Sequence, residues 1–286
     1  MKRISVQDIM TRKVVGVDQD TPLSEIIRLM SEKQIGSTVI LDKEKPIGII
    51  TIRHILKMAE KCTPPATVKA QNVMTHPLIT VKPDVNLRNA SILMLQKGIK
   101  KLTVVENGKL IGLVTTTDIE RVFMPFDSPF EIIKNESAVS VGLREEFQRD
   151  MEKKLVEEIM TKDVKTVDSS MKVNEIAKIM NATKIGSLIV TKNEKAIGIV
   201  TDLHIVRRIM NDGLDPCTVT AEEAMENLIT INPKDTLKNS VEKMITNTVK
   251  KLGVINSNDS LVGIITTTDF LVYYRSLLFR QKILEK

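Results

Sequence analysis

Thr115 and Asp118 stand three residues apart, directly after Gly112-Leu113-Val114, and Thr266 and Asp269 repeat the arrangement after Gly263-Ile264-Ile265. Ahead of each run lies a pair of cations, Lys100-Lys101 and Lys250-Lys251. Such groups are suited to binding. A carboxylate accepts charge-assisted hydrogen bonds, and ammonium and hydroxyl groups donate to anions. They do not form a nucleophile with its base. The sequence carries no Cys/His spacing for zinc and no dinucleotide fingerprint, and Gly-h-h-Thr (h apolar) lacks the Gly-Lys-Ser/Thr ending of a P-loop. Recognition rather than catalysis is the expectation, with no catalytic cofactor and no metal.

Two further copies of the run, Gly48-Ile49-Ile50-Thr51 and Gly198-Ile199-Val200-Thr201, have His54 and His204 where the others have aspartate. At their lysine stations stand Gly36-Ser37 and Gly186-Ser187. Histidine cannot copy the double acceptance of a carboxylate, although it can donate to an anion, more strongly when protonated. Asp202, next to Thr201, reads as a helix-start residue.

The elements that place these residues repeat as well. The four glycines are 64, 86 and 65 residues apart, and the halves are offset by 150 and 151. Ile9-Met10-Thr11, Val73-Met74-Thr75, Ile159-Met160-Thr161 and the weaker Ala224-Met225-Glu226 keep the same beat. The chain is a duplicated pair of duplicated units. In the second copy, Leu78-Ile79-Thr80-Val81 predicts a strand. Leu87, Ala90, Ser91 and Met94 give the stripe of a helix ending near Gly98. Leu102 to Val105 and Leu110 to Val114 predict two strands joined at Asn107-Gly108, a hairpin signal. Thr117-Asp118 predicts the N-cap of a second helix, an arrangement that stabilises by about 1 kcal/mol without any ligand. The corresponding stripes are Leu23, Ile26, Ile27, Met30; Val173, Ile176, Ala177, Met180; and Leu237, Ser240, Val241, Met244, their methionines predicted as core. In the first copy Thr21-Pro22 places proline at the helix start.

At 286 residues the chain has room for two domains, and one copy of about 60 residues would be marginal alone. No apolar run reaches the roughly 20 residues of a membrane span, and Met1 to Asp8 has no signal-peptide core, so a cytoplasmic location without membrane contact is expected. Cys62 and Cys217 lie in different halves and are predicted as free thiols. The net charge of +6 favours anionic partners in a general way.

The element order, the Met-Thr entry and the Gly-h-h-Thr-x-x-Asp exit together resemble the CBS (cystathionine-β-synthase) motif. Two such motifs pack side by side as a Bateman module. The resemblance covers roughly residues 4–123 and 154–275. It implies an α+β fold of two Bateman modules, each a pseudo-twofold pair of β-α-β-β-α motifs. Module 1 is then 1–123, with motifs at about 4–60 and 68–123; module 2 is 154–275, with motifs at about 154–210 and 219–275. Residues 124–153 become a partly helical linker holding, with Phe123, four of the six phenylalanines, and 276–286 a basic extension of the last helix.

The chain is similar to stand-alone four-motif proteins of archaea and to the γ subunit of AMP-activated kinase. The resemblance implies a regulatory protein, not an enzyme, that binds AMP, ADP, ATP or an S-adenosylmethionine-type ligand between paired motifs and signals by changing conformation. Asp118 and Asp269 would then hold ribose, and Thr115, Thr266, Lys100, Lys101, Lys250 and Lys251 would face phosphate. Thr51, His54, Thr201 and His204 are the weaker ligand candidates. A homodimer through the modules fits the same family. Two other readings are an RNA- or ribosome-binding translation factor, which the basic charge permits, and a regulatory subunit of an enzyme or transporter.

Overall fold

A computed structural model describes residues 4–123, 149–270, 272, 273 and 276. The first copy runs β1 (Gly16–Asp18), α1 (Leu23–Glu32), β2 (Ser37–Asp42), β3 (Lys45–Thr51) and α2 (Ile52–Glu60). The second runs β4 (Thr80–Val81), α3 (Leu87–Lys97), β5 (Lys101–Glu106), β6 (Lys109–Thr115) and α4 (Thr116–Phe123). The third has β7 (Thr166–Asp168), α5 (Val173–Thr183), β8 (Ser187–Lys192), β9 (Lys195–Thr201) and a short α6 (Asp202–His204) that continues as a π-helical turn, Ile205–Met210. In the fourth, α7 (Ala221–Ala224) and β10 (Glu226–Asn227) precede β11 (Thr230–Ile231), α8 (Leu237–Thr246), β12 (Lys251–Ile255) and β13 (Leu261–Thr266). Residues 267–270 then begin a last helix. The expected order holds in every copy, and the fold is α+β.

Each copy has its own small sheet, and β10 of copy four adds a fourth strand to that of copy three. In the first, second and fourth copies the opening strand pairs parallel to the next, as a helical crossover requires, and the last two form an antiparallel hairpin. Asn107 and Gly108 both take positive φ (51° and 79°) at the predicted turn. The helix stripes turn inward: Met30, Met94, Met180 and Met244 are all buried, as are Leu23, Leu87, Val173 and Leu237. Gly98 caps α3 in the left-handed conformation. Pro22 occupies the N-cap of α1, one place before the helix. Leu78 and Ile79 lie outside the short strand β4.

The described residues form two compact units. One comprises the chain up to Phe123 with Ser170–Ser187 and Thr201–Ala224; the other comprises Leu188–Val200, the chain from Met225 onward and the described residues just before Ser170. In the first unit the two opening copies interlock. Val6 and Met10, from the entry of copy one, lie in the core of copy two with Leu87, Met94, Leu102 and Val114. Thr11 exchanges two backbone hydrogen bonds with Leu113 (2.9 and 3.0 Å), and Thr75 does the same with Ile49 (3.0 and 3.3 Å). A Cβ on Gly112 would overlap the Met10 sulfur, and one on Gly48 would overlap that of Met74. The same unit holds α2 packed on α5, where the Arg53 guanidinium donates to the Met180 carbonyl and Asn181 donates to Glu60 at 2.8 Å.

The second unit repeats the interlock. Val156 joins the core of copy four with Leu237, Val241, Leu252, Ile265 and Phe270. Met160 lies against Gly263, and Met225 against Gly198. Thr161 exchanges two 2.9 Å backbone bonds with Ile264, and Glu226 pairs with Ile199. Copy one is thus paired with copy two, and copy three with copy four.

One expectation is overturned. Cys62 and Cys217 are not free thiols but form a disulfide, with Cα atoms 5.8 Å apart. Most of the proposed linker, 124–148, and all of 277–286 lie outside the described residues; residues 149–153 are helical. Among the described residues no helix is long and apolar enough to cross a membrane.

Candidate ligand cleft

The two lysine stations and the two threonine stations meet by strand register. Lys101 opens β5 directly opposite Thr115, the last residue of β6, and Lys251 stands opposite Thr266 in the same way. In copy one the equivalent pair is Ser37 and Thr51. The hairpin therefore brings each station beside the start of its second helix, where unpaired backbone N–H groups favour an anion.

That helix start is capped by a box of two residues. Thr115 N–H and Oγ1–H both donate to Asp118 Oδ2 (2.8 and 2.7 Å), and the Asp118 N–H donates to Thr115 Oγ1 at 3.2 Å. Thr266 and Asp269 make the same two donations at 2.7 Å. The cap is thus Thr115, two residues ahead of the predicted Thr117, with Asp118 at the third helical position. Capping and ligand binding are compatible, because a carboxylate has about four lone-pair sites and the cap uses one oxygen. Asp269 spends its other oxygen on Thr161 Oγ1 at 3.1 Å, the threonine of the partner copy's entry.

Lys101 and Lys100 part company. Lys101 is half-buried and reaches across to copy one, donating to Ser37 Oγ at 2.9 Å and to the Gly36 carbonyl at 3.3 Å. Burial lowers its pKa, against the opposing effect of the nearby Asp118 charge. A partly desolvated ammonium held by neutral oxygens gains from any anion placed beside it. Lys100 is exposed, and its carbonyl accepts the Thr116 N–H at 3.0 Å. Lys250 is likewise exposed and accepts from Thr267 at 3.1 Å, while Lys251 is half-buried. Of each pair, the second lysine occupies the station.

His54 replaces the carboxylate of the box and does its capping work. Its Nδ1 accepts the Thr51 N–H at 2.9 Å, which assigns the proton to Nε2, and Nε2 lies 3.0 Å from Thr75 Oγ1. Burial, then the Lys57 charge, lowers its pKa and keeps the ring neutral. Both ring nitrogens are engaged inside the protein. In copy three Thr201 caps α6 by accepting the His204 N–H at 3.1 Å, and Asp202 takes the first helical position against Gly186. Sequence reasoning missed Thr75 and Thr161 as parts of these clusters, although their Met-Thr period marked them.

Among the relatives, MK0525 of Methanopyrus kandleri is 41% identical over 125 residues, which cover 43% of this chain and 64% of that protein. MJ1225 of Methanocaldococcus jannaschii is 26% identical over 205 residues, 71% of this chain and 69% of that one. The matched stretches thus span about two thirds of each relative. The crystal structure of MJ1225, described as a candidate archaeal homolog of g-AMPK, superposes with a TM-score of 0.65 at 20% identity, covering 95% of this chain and all of that one, which speaks for the fold. The CBS domain pair of MJ0100, solved with 5-methylthioadenosine and S-adenosyl-L-methionine, is 25% identical at a TM-score of 0.40, covering 43% of this chain and 97% of that one. The CBS domain family itself matches residues 6–61, 70–124, 156–211 and 221–276, one stretch on each copy, and the chain belongs to that family of regulatory modules.

Proposed function

We propose that this chain is a sensor of adenine-containing ligands, binding them between paired copies and signalling by a shift between ligand-dependent conformations. Residues 1–123 and 154–275 serve as its two modules. The observation that carries this reading is Lys101, a half-buried cation that leaves its own copy to bond Gly36 and Ser37 of the other, beside Asp118. A ligand phosphate there replaces two neutral acceptors with a charged one, while the Asp118 carboxylate accepts ribose hydroxyls without giving up the cap. Asp269, Thr266 and Lys251 form the corresponding cleft in the second module, with Lys100 and Lys250 as outer cations. Thr51, His54, Thr201 and His204 line the weaker partner sites, because neither histidine offers a carboxylate and the His54 ring is committed to the cap.

Calorimetric titration of nucleotide-stripped protein with AMP, ADP, ATP, S-adenosylmethionine and 5-methylthioadenosine tests the reading. Micromolar binding that Asp118→Ala weakens about 10- to 150-fold at one site, corresponding to about 1.5–3 kcal/mol, supports it. No binding by any of the five overturns it.

A further inference from the structure

The disulfide lies away from the candidate cleft in sequence, yet one of its cysteines follows a helix that begins there. Helix α2 starts at the Thr51–His54 cap and ends at Glu60, Lys61 is its C-cap, and the next residue is Cys62. Cys62 takes φ +51°, the left-handed conformation that glycine usually fills just past a helix end. Its partner, Cys217, is exposed and sits in a connector pinned to the first turn of α5. The Asn174 N–H donates to the Pro216 carbonyl and the Val173 N–H to the Val219 carbonyl, both at 3.0 Å, and the Cys217 N–H is held by Asp215 Oδ1 at 2.9 Å. The bond thus ties the end of α2 to the start of α5, the two helices that pack together, and closes a loop across 155 positions of sequence.

We infer that Cys62–Cys217 is a redox latch on the interface between the first and third copies. It is opened by a dithiol reductant, either a small molecule or a protein with a reactive thiol pair. A reductant thiolate attacks the exposed Cys217 sulfur, and Cys62 leaves as a thiolate and takes up a proton. The second reductant thiol then displaces Cys217 from the mixed disulfide and becomes half of the oxidised reductant's disulfide. Two electrons pass to the cysteines, and both end as thiols. Once open, α2 keeps its packing on α5 but loses its covalent hold, so the helix carrying Thr51 and His54 becomes freer to move. A bond closing so long a loop acts chiefly by restricting the unfolded chain, so reduction lowers overall stability in addition to releasing the local hold on α2.

The test uses the full chain purified without reductant. Thiol alkylation under denaturing conditions, read by mass spectrometry, is expected to label no cysteine before dithiothreitol treatment and two after it. Reduction is expected to lower the Tm by about 5–15 °C. It should also speed amide hydrogen exchange more in α2 and α5 than in α3. The Cys62→Ser variant is expected to match the reduced protein and to ignore dithiothreitol; if that variant does not fold, the wild-type comparison decides alone. Two labelled cysteines before reduction would overturn the latch. So would a Tm and an exchange pattern that reduction leaves unchanged.

Discussion

The Met10 sulfur occupies the space where a side chain on Gly112 would begin. Met10 belongs to the first copy and Gly112 to the second, and Met74 with Gly48 makes the reciprocal contact. The two most regular markers in the sequence are thus the two sides of one joint. Gly112→Ala is expected to destabilise by about 1–3 kcal/mol through overpacking, and Met10→Ala by about 2–5 kcal/mol through the cavity it leaves. Because the added methyl partly fills that cavity, the double variant should cost less than the sum. Urea unfolding of the four proteins measures the coupling, and strict additivity would mean that the contact does not form.

Asp118 caps its helix, and asparagine and alanine separate that duty from the ligand binding proposed for it. The Asp118→Asn side chain keeps a carbonyl oxygen that accepts from the Thr115 N–H and hydroxyl, so stability should stay within about 0.5 kcal/mol, whereas Asp118→Ala should lose the cap, about 1 kcal/mol. Both should weaken ligand binding, since neither offers a charged acceptor to a diol. Thermal unfolding and calorimetry on the same samples check the separation; an Asp118→Asn protein with unchanged affinity would restrict the residue to capping.

The period of the sequence made the fold legible, because four glycines and four methionines recurring together leave few other architectures. It did not show that each entry packs on its partner copy: the repeat aligns Met10 with Met74 and gives no sign that either meets the other copy's glycine. The cap was misplaced by two residues within Thr115-Thr116-Thr117, where any of three hydroxyls fits the local rule and the hydrogen bonds to Asp118 decide. The lysine pairs were legible, but the choice of Lys101 over Lys100 depends on which residue stands opposite Thr115. The disulfide was illegible because its cysteines approach only when α2 and α5 pack, and nothing near either residue in sequence signals that contact.

Lys101 should discriminate ligands by their phosphates. Lys101→Met removes the charge and keeps most of the stem, so affinity for AMP or ATP is expected to fall by about 1.5–3 kcal/mol, while that for adenosine or 5-methylthioadenosine changes little. Stability should hold or rise slightly, because the variant no longer buries a cation. Calorimetry with the phosphorylated and unphosphorylated ligands in parallel tests this, and an equal loss for both classes would remove the lysine from the phosphate site.

His54 is expected to make the first unit sensitive to mild acid. In the unfolded chain its ring takes a proton near the ordinary value of 6.5, whereas in the folded chain burial and Lys57 hold the pKa lower. Between those two values the unfolded state binds more protons, so stability falls as the pH drops through 6.5 and stops falling below the folded pKa. One such group contributes a slope of at most about 1.4 kcal/mol per pH unit. Protonation also denies Nδ1 to the Thr51 N–H, so the loss includes the α2 cap. The His54→Asp variant puts a carboxylate in the box, as in copies two and four, and should flatten the profile between about pH 7 and 5.5, a window in which its own carboxyl stays ionised. Denaturant unfolding of both proteins across that window tests the assignment: parallel profiles would place the acid sensitivity on other groups, and a flatter one for His54→Asp would assign it to the capping ring.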